Sequence, residues 1–256
     1  MTNERSGHRE PNRVLAKTGL IVEALSADNE LTPAEIAQRC DISRSTAYRI
    51  LDGLVNVGLA VVDSDARYSL SLDWLSLADA ARAAMAEWRD ADEVLRRVTT
   101  GSTMTSYLTV RSGSEAVCIA CAQGHGADAT ILRPGRTLPL FAGAAGRVVL
   151  AFSDDATVGR YLAMAPFPAY NEHTLTTAEE LRADVARIRE RGYAVSDEDV
   201  TLGIGAVGVP LFRPGEGHAV GALSAGGFVD EVRRMSDDLL ELLRRGAVEL
   251  GCSSER

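Results

Sequence analysis

Apolar residues recur at helical spacing from Arg13 to Ser26, where Val14, Leu15, Leu20, Ile21, Ala24 and Leu25 predict a first amphipathic helix. The next helix start is marked chemically. In "TPAE", Thr32 stands at the N-cap, Pro33 at the first helical position and Glu35 at the third, a capping box with a proline whose φ is already helical. That helix should run to about Arg39, with Ile36 and Ala37 facing inward. After the turn "CDI", Ser43 caps a third helix whose Ala47, Ile50, Leu51, Leu54 and Val57 keep i, i+3, i+4, i+7 order. Ile42 should pack on Ala47 as a hydrophobic staple, and Gly58 ends the helix. "LAVVD", "SDAR" and "YSLSL" then read as strand, turn and strand, with Arg67 near the tip. Two helices joined by a short turn and followed by a hairpin predict a winged helix-turn-helix over 13–72.

From Asp73 to Thr100 the pattern is helical and alanine-rich, with Trp74, Leu77, Ala80, Ala81, Ala84 and Trp88 on one stripe. Such a stripe is either core or, between two domains, a linker helix that packs on its copy in a dimer. Beyond it, strand-like and helical segments alternate. "TMTSYLTV" and "EAVCIACA" flank "RSGS" as a hairpin, "ATILR" reads as a third strand, and a helix follows from about Ala144 to Phe152. "DDATVGRYLAMA" gives a short helix, "TAEELRADVARIRERG" a capped one from Thr177 to Gly192, and Ser236 to Leu250 a last one. "GAVGVPLF" and "HAVGALSAGG" form a second hairpin around "RPGEG". The expected class is α+β: a winged helix-turn-helix, a linker over 73–100, and a C-terminal domain over 101–256 with an antiparallel sheet.

Composition sharpens this picture. A hydrophobic share of 46% in 256 residues supplies two modest cores. The polar start "MTNERSGHREPNR" has no apolar signal segment, no apolar run suits a membrane span, and the four cysteines are scattered, so a cytoplasmic protein with reduced thiols is expected. Residues 1–12 read as a flexible tail. A net charge of −9 argues against indiscriminate coating of nucleic acid.

Local charge opposes global charge on one helix. Between Ile36 and Ile50, Arg39, Arg44 and Arg49 outnumber Asp41, an excess of +2. Ser43, Arg44, Ser45, Thr46, Tyr48 and Arg49 cluster at the N-terminal half of the second helix of the pair, the part that enters a major groove. Arginine pairs bidentately with guanine, and hydroxyls and helix N-termini hold phosphates. Arg13, Lys17 and Arg67 join these as candidate contacts to double-stranded operator DNA.

A second candidate site lies at "GAAGRVV", where a helix starts on small residues. Free backbone N–H groups at Ala144, Ala145 and Gly146 suit a carboxylate; alternatively Gly143 and Gly146 only permit tight packing. "CIACAQGH" brings Cys118, Cys121 and His125 together, but a zinc site normally needs further ligands, and on a regular strand Cys118 and Cys121 would face opposite ways. Buried apolar cysteines are the default. No nucleophile elbow, metal motif or phosphate loop accompanies His8, His125, His173 or His218, so neither an enzyme, a metal site nor a cofactor is expected.

The segments "LTPAEIAQRCDISRSTAYRILDGLVNVGLAVVDSDARYSLS", "LRPGRTLPLFAGAAGRVVLA", "RERGYAVSDEDVTLGIGAVGVPLF" and "ALSAGG", in this order, resemble the IclR family of bacterial transcriptional regulators. The resemblance implies a GAF-like effector domain that binds a small, often carboxylated or aromatic molecule. It also implies a homodimer or dimer of dimers on an operator; a repressor is expected here, with the sequence giving no sign of which arrangement the ligand prefers. By motif, the effector pocket should combine Ala144, Ala145 and Gly146 with Ser196, Asp197, Ile204, Ala206, Ser224 and Gly226. Relatives that take small oxo acids commonly carry polar groups where this chain has Ser196, Ala206 and Gly226, which implies an effector larger or more apolar than glyoxylate or pyruvate.

Overall fold

The computed structural model describes residues 12–124 and 132–255. The tail before Asn12, His125 and the Ala129–Ile131 part of the expected strand "ATILR" lie outside the described residues. The chain divides into two compact units between Ala86 and Glu87.

The first unit contains α1 (Arg13–Ala27), α2 (Pro33–Arg39), α3 (Arg44–Asn56), β1 (Ala60–Val62), β2 (Tyr68–Leu70) and α4 (Asp73–Ala83). Its helix boundaries follow from local chemistry. Thr32 and Glu35 form the reciprocal capping box, and Ser43 Oγ accepts from the Thr46 amide at 3.3 Å. At the far end of α3, Gly58 takes φ +77°, its amide bonds to Val55 O, and the Leu59 amide reaches Leu54 O at 2.8 Å. That double bond is a Schellman motif, which needs a left-handed residue at the position of Gly58. The core joins Ile21 and Leu25 of α1, Ile36 of α2, Ala47, Ile50, Leu51 and Leu54 of α3, and Tyr68 of the wing. Each fully buried aliphatic side chain there contributes about 1.5–3 kcal/mol. The α1 stripe is narrower than its spacing implies, because Val14, Leu15 and Leu20 are exposed.

The linker differs from expectation as well. The helical pattern from Asp73 breaks after Ala83; a 3-10 turn at Ala86–Trp88 follows, then α5 (Ala91–Ser102). Trp88 is therefore not on the stripe that begins at Trp74: it is buried in the second unit under the Arg213 guanidinium, 5.1 Å from its ring. Residues 91–102 pack as part of the C-terminal core.

The second unit continues with β3 (Thr105–Ser112), β4 (Glu115–Ala122), β5 (Thr137–Pro139), α6 (Gly143–Ala151), α7 (Asp155–Leu162), α8 (Ala178–Arg191), β6 (Ala194–Asp197), β7 (Ile204–Leu211), β8 (Gly221–Phe228), α9 (Val229–Arg234) and α10 (Ser236–Glu249). The strands form one antiparallel sheet in the order β5-β4-β3-β8-β7-β6. Helices α5 and α10 cover one face: Ser106 Oγ donates to Leu95 O, and Gly246 fits between Leu223, Val94 and Val98. On the other face α6 lies against β7, with Ala144 over Gly208, and α8 backs α6. The short strands β5 and β6 and the helix α9 were not expected from the pattern. β5 extends the sheet beyond β4.

One irregularity corrects a sequence argument. Leu108 pairs with Ala120 and Thr109 with Cys118, so Ile119 is an extra residue in β4, a bulge. It shifts the alternation by one. Cys121, opposite Tyr107, and Cys118, opposite Thr109, therefore share a face instead of pointing apart.

Candidate functional site

Helix α3 presents Arg44, Ser45, Tyr48 and Arg49 to solvent on one face, with Ser43 exposed at its N-cap. Tyr48 is 51% exposed on this face. Arg44 and Arg49 form no ion pair among the described residues, so their guanidinium groups are available to an external anion, whereas Arg39 is occupied by Asp28. The hydroxyls of Ser43, Ser45 and Thr46 form a chain, with Ser43 Oγ 2.8 Å from Thr46 Oγ1 and 3.1 Å from Ser45 Oγ. Thr46 is thereby a cap element, half-buried, more than a free donor.

Arg67 stands near the wing tip, where its O accepts from the Asp63 amide at 3.0 Å, but its side chain turns away. Its Nη1 donates to Glu30 O at 3.1 Å and sits 3.6 Å from Glu35 Oε2, so it folds back on the start of α2. The same turn carries Asp63 and Asp65, with the Asp63 carboxylate accepting from the Asp65 and Arg67 amides at 2.9 Å each. Arg13 and Lys17 lie on the first turns of α1, Arg13 exposed and Lys17 half-buried.

In the second unit a cavity of about 80 Å³ lies between α6 and the sheet. Thr105 and Tyr107 from β3, Ala206 from β7, and Ser224 and Gly226 from β8 form its floor, Ser196 and Ile204 one side, and Ala144 and Ala145 of α6 its roof. Val200 and Thr201 of the loop between β6 and β7 complete the wall, with Leu132 and Leu138. No charged side chain lines it among the described residues. Burial pushes the Tyr107 phenol up to about 12, so it stays neutral and keeps its hydrogen.

The roof is a helix N-terminus without a side-chain cap. Ala142 N–H bonds to Pro139 O at 3.1 Å and Gly143 N–H donates to Asp199 Oδ2 at 2.9 Å. Helix geometry gives the next two amides, of Ala144 and Ala145, no carbonyl partner, and both residues face the cavity. Gly143 reaches this arrangement with φ +67°. Gly146 has the other role: it is absent from the lining, and a Cβ there would stand 2.7 Å from Pro139 O, so it allows close packing.

Seven of the expected effector residues thus meet at one cavity: Ala144, Ala145, Ser196, Ile204, Ala206, Ser224 and Gly226. Asp197 does not join them. Alternation along β6 turns Ser196 in and Asp197 out, where Asp197 pairs with Arg233 at 2.8 Å. The motif also hid two residues that organise the site. Arg147, 4% exposed, donates to Asp184 Oδ2 at 2.8 Å and to Val195 O at 2.7 Å, and lies 3.4 Å from Asp199 Oδ1. Asp199, 3% exposed, also accepts from the Ser196 hydroxyl. An arginine inside the otherwise apolar "GAAGRVVLA" was the available signal, since a buried cation requires buried partners.

Cys118 is fully buried, and desolvation raises its thiol to about 12, which makes it a poor nucleophile and metal ligand at neutral pH. Among the described residues no group of three or more His, Cys, Asp or Glu is placed to hold a metal ion, and no helix is long and apolar enough to cross a membrane.

Comparison with known proteins supplies the context for both sites. Residues 85–251 match the family model described as "Bacterial transcriptional regulator IclR C-terminal", and residues 14–64 match "IclR helix-turn-helix domain". The chain is 28% identical over 246 residues to the probable transcriptional regulator SauR of Cupriavidus necator, covering 90% of this chain and 96% of that one. It is 28% identical over 243 residues to the HTH-type transcriptional regulator BhcR of Paracoccus denitrificans, covering 93% and 84%. Among solved structures, an IclR homologue from Microbacterium hydrocarbonoxydans complexed with 4-hydroxybenzoate superposes with TM-score 0.78 at 25% identity, covering 93% of this chain and 97% of the other.

Proposed function

The chain belongs to the IclR family of bacterial transcriptional regulators, with a helix-turn-helix domain and an effector-binding domain, and on that premise we propose that it is a repressor released from its operator by a small carboxylate or aromatic effector. Arg44, Ser45, Tyr48 and Arg49 meet base edges and phosphates in a major groove, the α3 N-terminus with Ser43 and Thr46 holds a phosphate, and Arg13 and Lys17 hold phosphates beside it. The active species is a homodimer or a dimer of dimers. A second copy has apolar surface to cover, since Leu72, Leu75 and Leu77 at α4 are 82%, 65% and 50% exposed.

The observation that carries the effector reading is the pair of unpartnered amides at Ala144 and Ala145 above an otherwise uncharged cavity. They suit a carboxylate, and Leu132, Leu138 and Ile204 suit an apolar or aromatic body. The complex of the Microbacterium homologue holds a ligand with both parts.

The test is a mobility shift with DNA from upstream of the gene itself and from neighbouring promoters, at physiological salt with competitor DNA. A discrete complex that carboxylates or aromatic acids release is the expected result. A complex that forms only in the presence of the acid would reverse the sign to activation, and no specific complex on any of these promoters would reject the reading.

A further inference from the structure

We propose that the cavity admits an effector with a single negative charge and turns away dianions of the same shape, and that Asp199 sets this limit from behind the roof. The inference rests on the reading of this cavity as the effector site and adds the charge that the site selects.

Charge is unevenly placed around the cavity. Among the described residues, the polar side chains that line it are the hydroxyls of Thr105, Tyr107, Ser196, Thr201 and Ser224, and the Tyr107 phenol stays neutral. These groups supply hydrogen bonds and no net charge. Full charges stand one layer back, in the cluster that joins α6, α8 and the loop between β6 and β7. There one buried cation, Arg147, faces two buried carboxylates, Asp184 at 2.8 Å and Asp199 at 3.4 Å. Arg187 also reaches Asp184, at 3.1 Å, but its side chain is 59% exposed and water screens its charge. The buried cluster therefore holds one carboxylate more than it has cations. Asp199 is the member that meets the cavity: its Oδ2 accepts from the Gly143 amide at 2.9 Å and its Oδ1 from the Ser196 hydroxyl. Gly143 and Ser196 both line the cavity, whereas Arg147 does not. The outer side of the same loop repeats the imbalance, with Arg233 serving Asp197 at 2.8 Å and Glu198 at 3.8 Å.

One carboxylate fits this setting. The amides of Ala144 and Ala145 donate to it, and the positive end of α6 offers about half an elementary charge, part of which Asp199 already uses through Gly143. A second carboxylate inside the cavity would meet hydroxyls alone, beside a cluster with a surplus carboxylate. Burying an ionised group without a cation costs more than neutral hydrogen bonds return. A neutral polar group in its place, such as an amide or a nitro group, needs only those hydroxyls. Asp199 steepens the difference, because its own charge repels each anion that enters.

The experiment is calorimetric titration of the full chain at neutral pH with acids matched in shape and unequal in charge: 4-nitrobenzoate and 4-carbamoylbenzoate against terephthalate, and succinamate against succinate. In each set that binds, the monoanion should bind at least about tenfold more tightly than the dianion, a gap read in the wild-type protein without any variant. Asp199→Asn keeps a side-chain oxygen for the Gly143 amide and leaves Arg147 paired with Asp184. In that variant both anions should tighten, by about threefold or more, and the gap should narrow. Ser196→Ala removes the neighbouring hydroxyl and no charge, so its gap should match that of the wild type. A dianion that binds as tightly as its monoanionic match overturns the proposal, as does a gap untouched in Asp199→Asn protein with a wild-type circular dichroism spectrum. A gap that Ser196→Ala closes as far as Asp199→Asn does would also overturn it, and no binding by any of these acids rejects the cavity as a carboxylate site and the proposal with it. Titrating the Ser224→Leu protein separates the underlying reading: binding that survives this bulkier floor lies elsewhere, whereas equal binding of both members that Ser224→Leu abolishes retains the cavity and rejects only the charge limit.

Discussion

Helices α3 and α6 begin in opposite surroundings, and the contrast fits the two different anions proposed for them, operator DNA and a small carboxylate. α3 starts in water, capped by Ser43, with Arg44 and Arg49 on its exposed face and in no ion pair among the described residues. α6 starts fully buried, has Ala142 where a polar cap would stand, and borrows a carboxylate, Asp199, from a distant loop to serve its first amide. Both ends offer the same backbone dipole. The exposed one suits a rigid polyanion approached from outside, where side-chain cations add range and base contacts add specificity. The buried one suits a small ligand with few charges, since a cation in the roof would itself need a partner.

The largest effect that would sharpen this contrast is at the buried end. Arg147→Met leaves Asp184 and Asp199 together without their shared cation, and loss of one member of a buried ionic cluster typically costs about 3–5 kcal/mol. Urea denaturation should show the effector unit unfolding at clearly lower denaturant while the helix-turn-helix unit holds its midpoint. Equal stability would mean that the cluster is not what fixes α6. At the exposed end, Arg44→Ala or Arg49→Ala should weaken operator binding by about 1–3 kcal/mol if the residue reads a base edge, with no change in urea midpoint. Fluorescence anisotropy with operator duplex measures this, and unchanged affinity in both variants would remove α3 as the reading helix.

Smaller effects distinguish cap from contact. Ser43→Ala should cost about 1 kcal/mol of first-unit stability through the lost cap to the Thr46 amide. Arg67→Ala should change operator affinity by less than about 0.5 kcal/mol, because its guanidinium is turned to Glu30 and Glu35 at an exposed site. A loss as large as that for Arg44 would return Arg67 to the DNA interface.

The same contrast runs through what the amino-acid order revealed. The starts of α2, α3 and α8 were readable because a cap is a contact between neighbours three residues apart, written in "TPAE", Ser43 and "TAEE". Seven cavity residues were legible through family motifs, since "GAAG", "VSDEDVTLGIGA" and "ALSAGG" each bring short stretches to one place. What escaped depends on distance in sequence. Asp199 reaches Gly143 across 56 positions, and nothing in "SDEDV" distinguishes it from its acidic neighbours Asp197 and Glu198, of which Asp197 points outward. The bulge at Ile119 reverses the facing of the cysteines without leaving a mark on the alternation. The break between α4 and α5 falls in an alanine-rich run that has no proline or glycine to announce it.

The central claim is that occupation of the buried end weakens the grip of the exposed one, and linkage offers the direct measurement. Operator affinity of the wild-type and Ser224→Leu proteins would be measured by anisotropy with and without a saturating acid that calorimetry has shown to bind. Ligand that favours the DNA-incompetent arrangement must lower operator affinity, and operator must lower ligand affinity by the same factor. The account predicts a loss of at least about fivefold in the wild-type protein, reciprocal in both directions, and none in Ser224→Leu. An operator affinity indifferent to the bound acid, or a response that persists with the cavity floor filled, would contradict it.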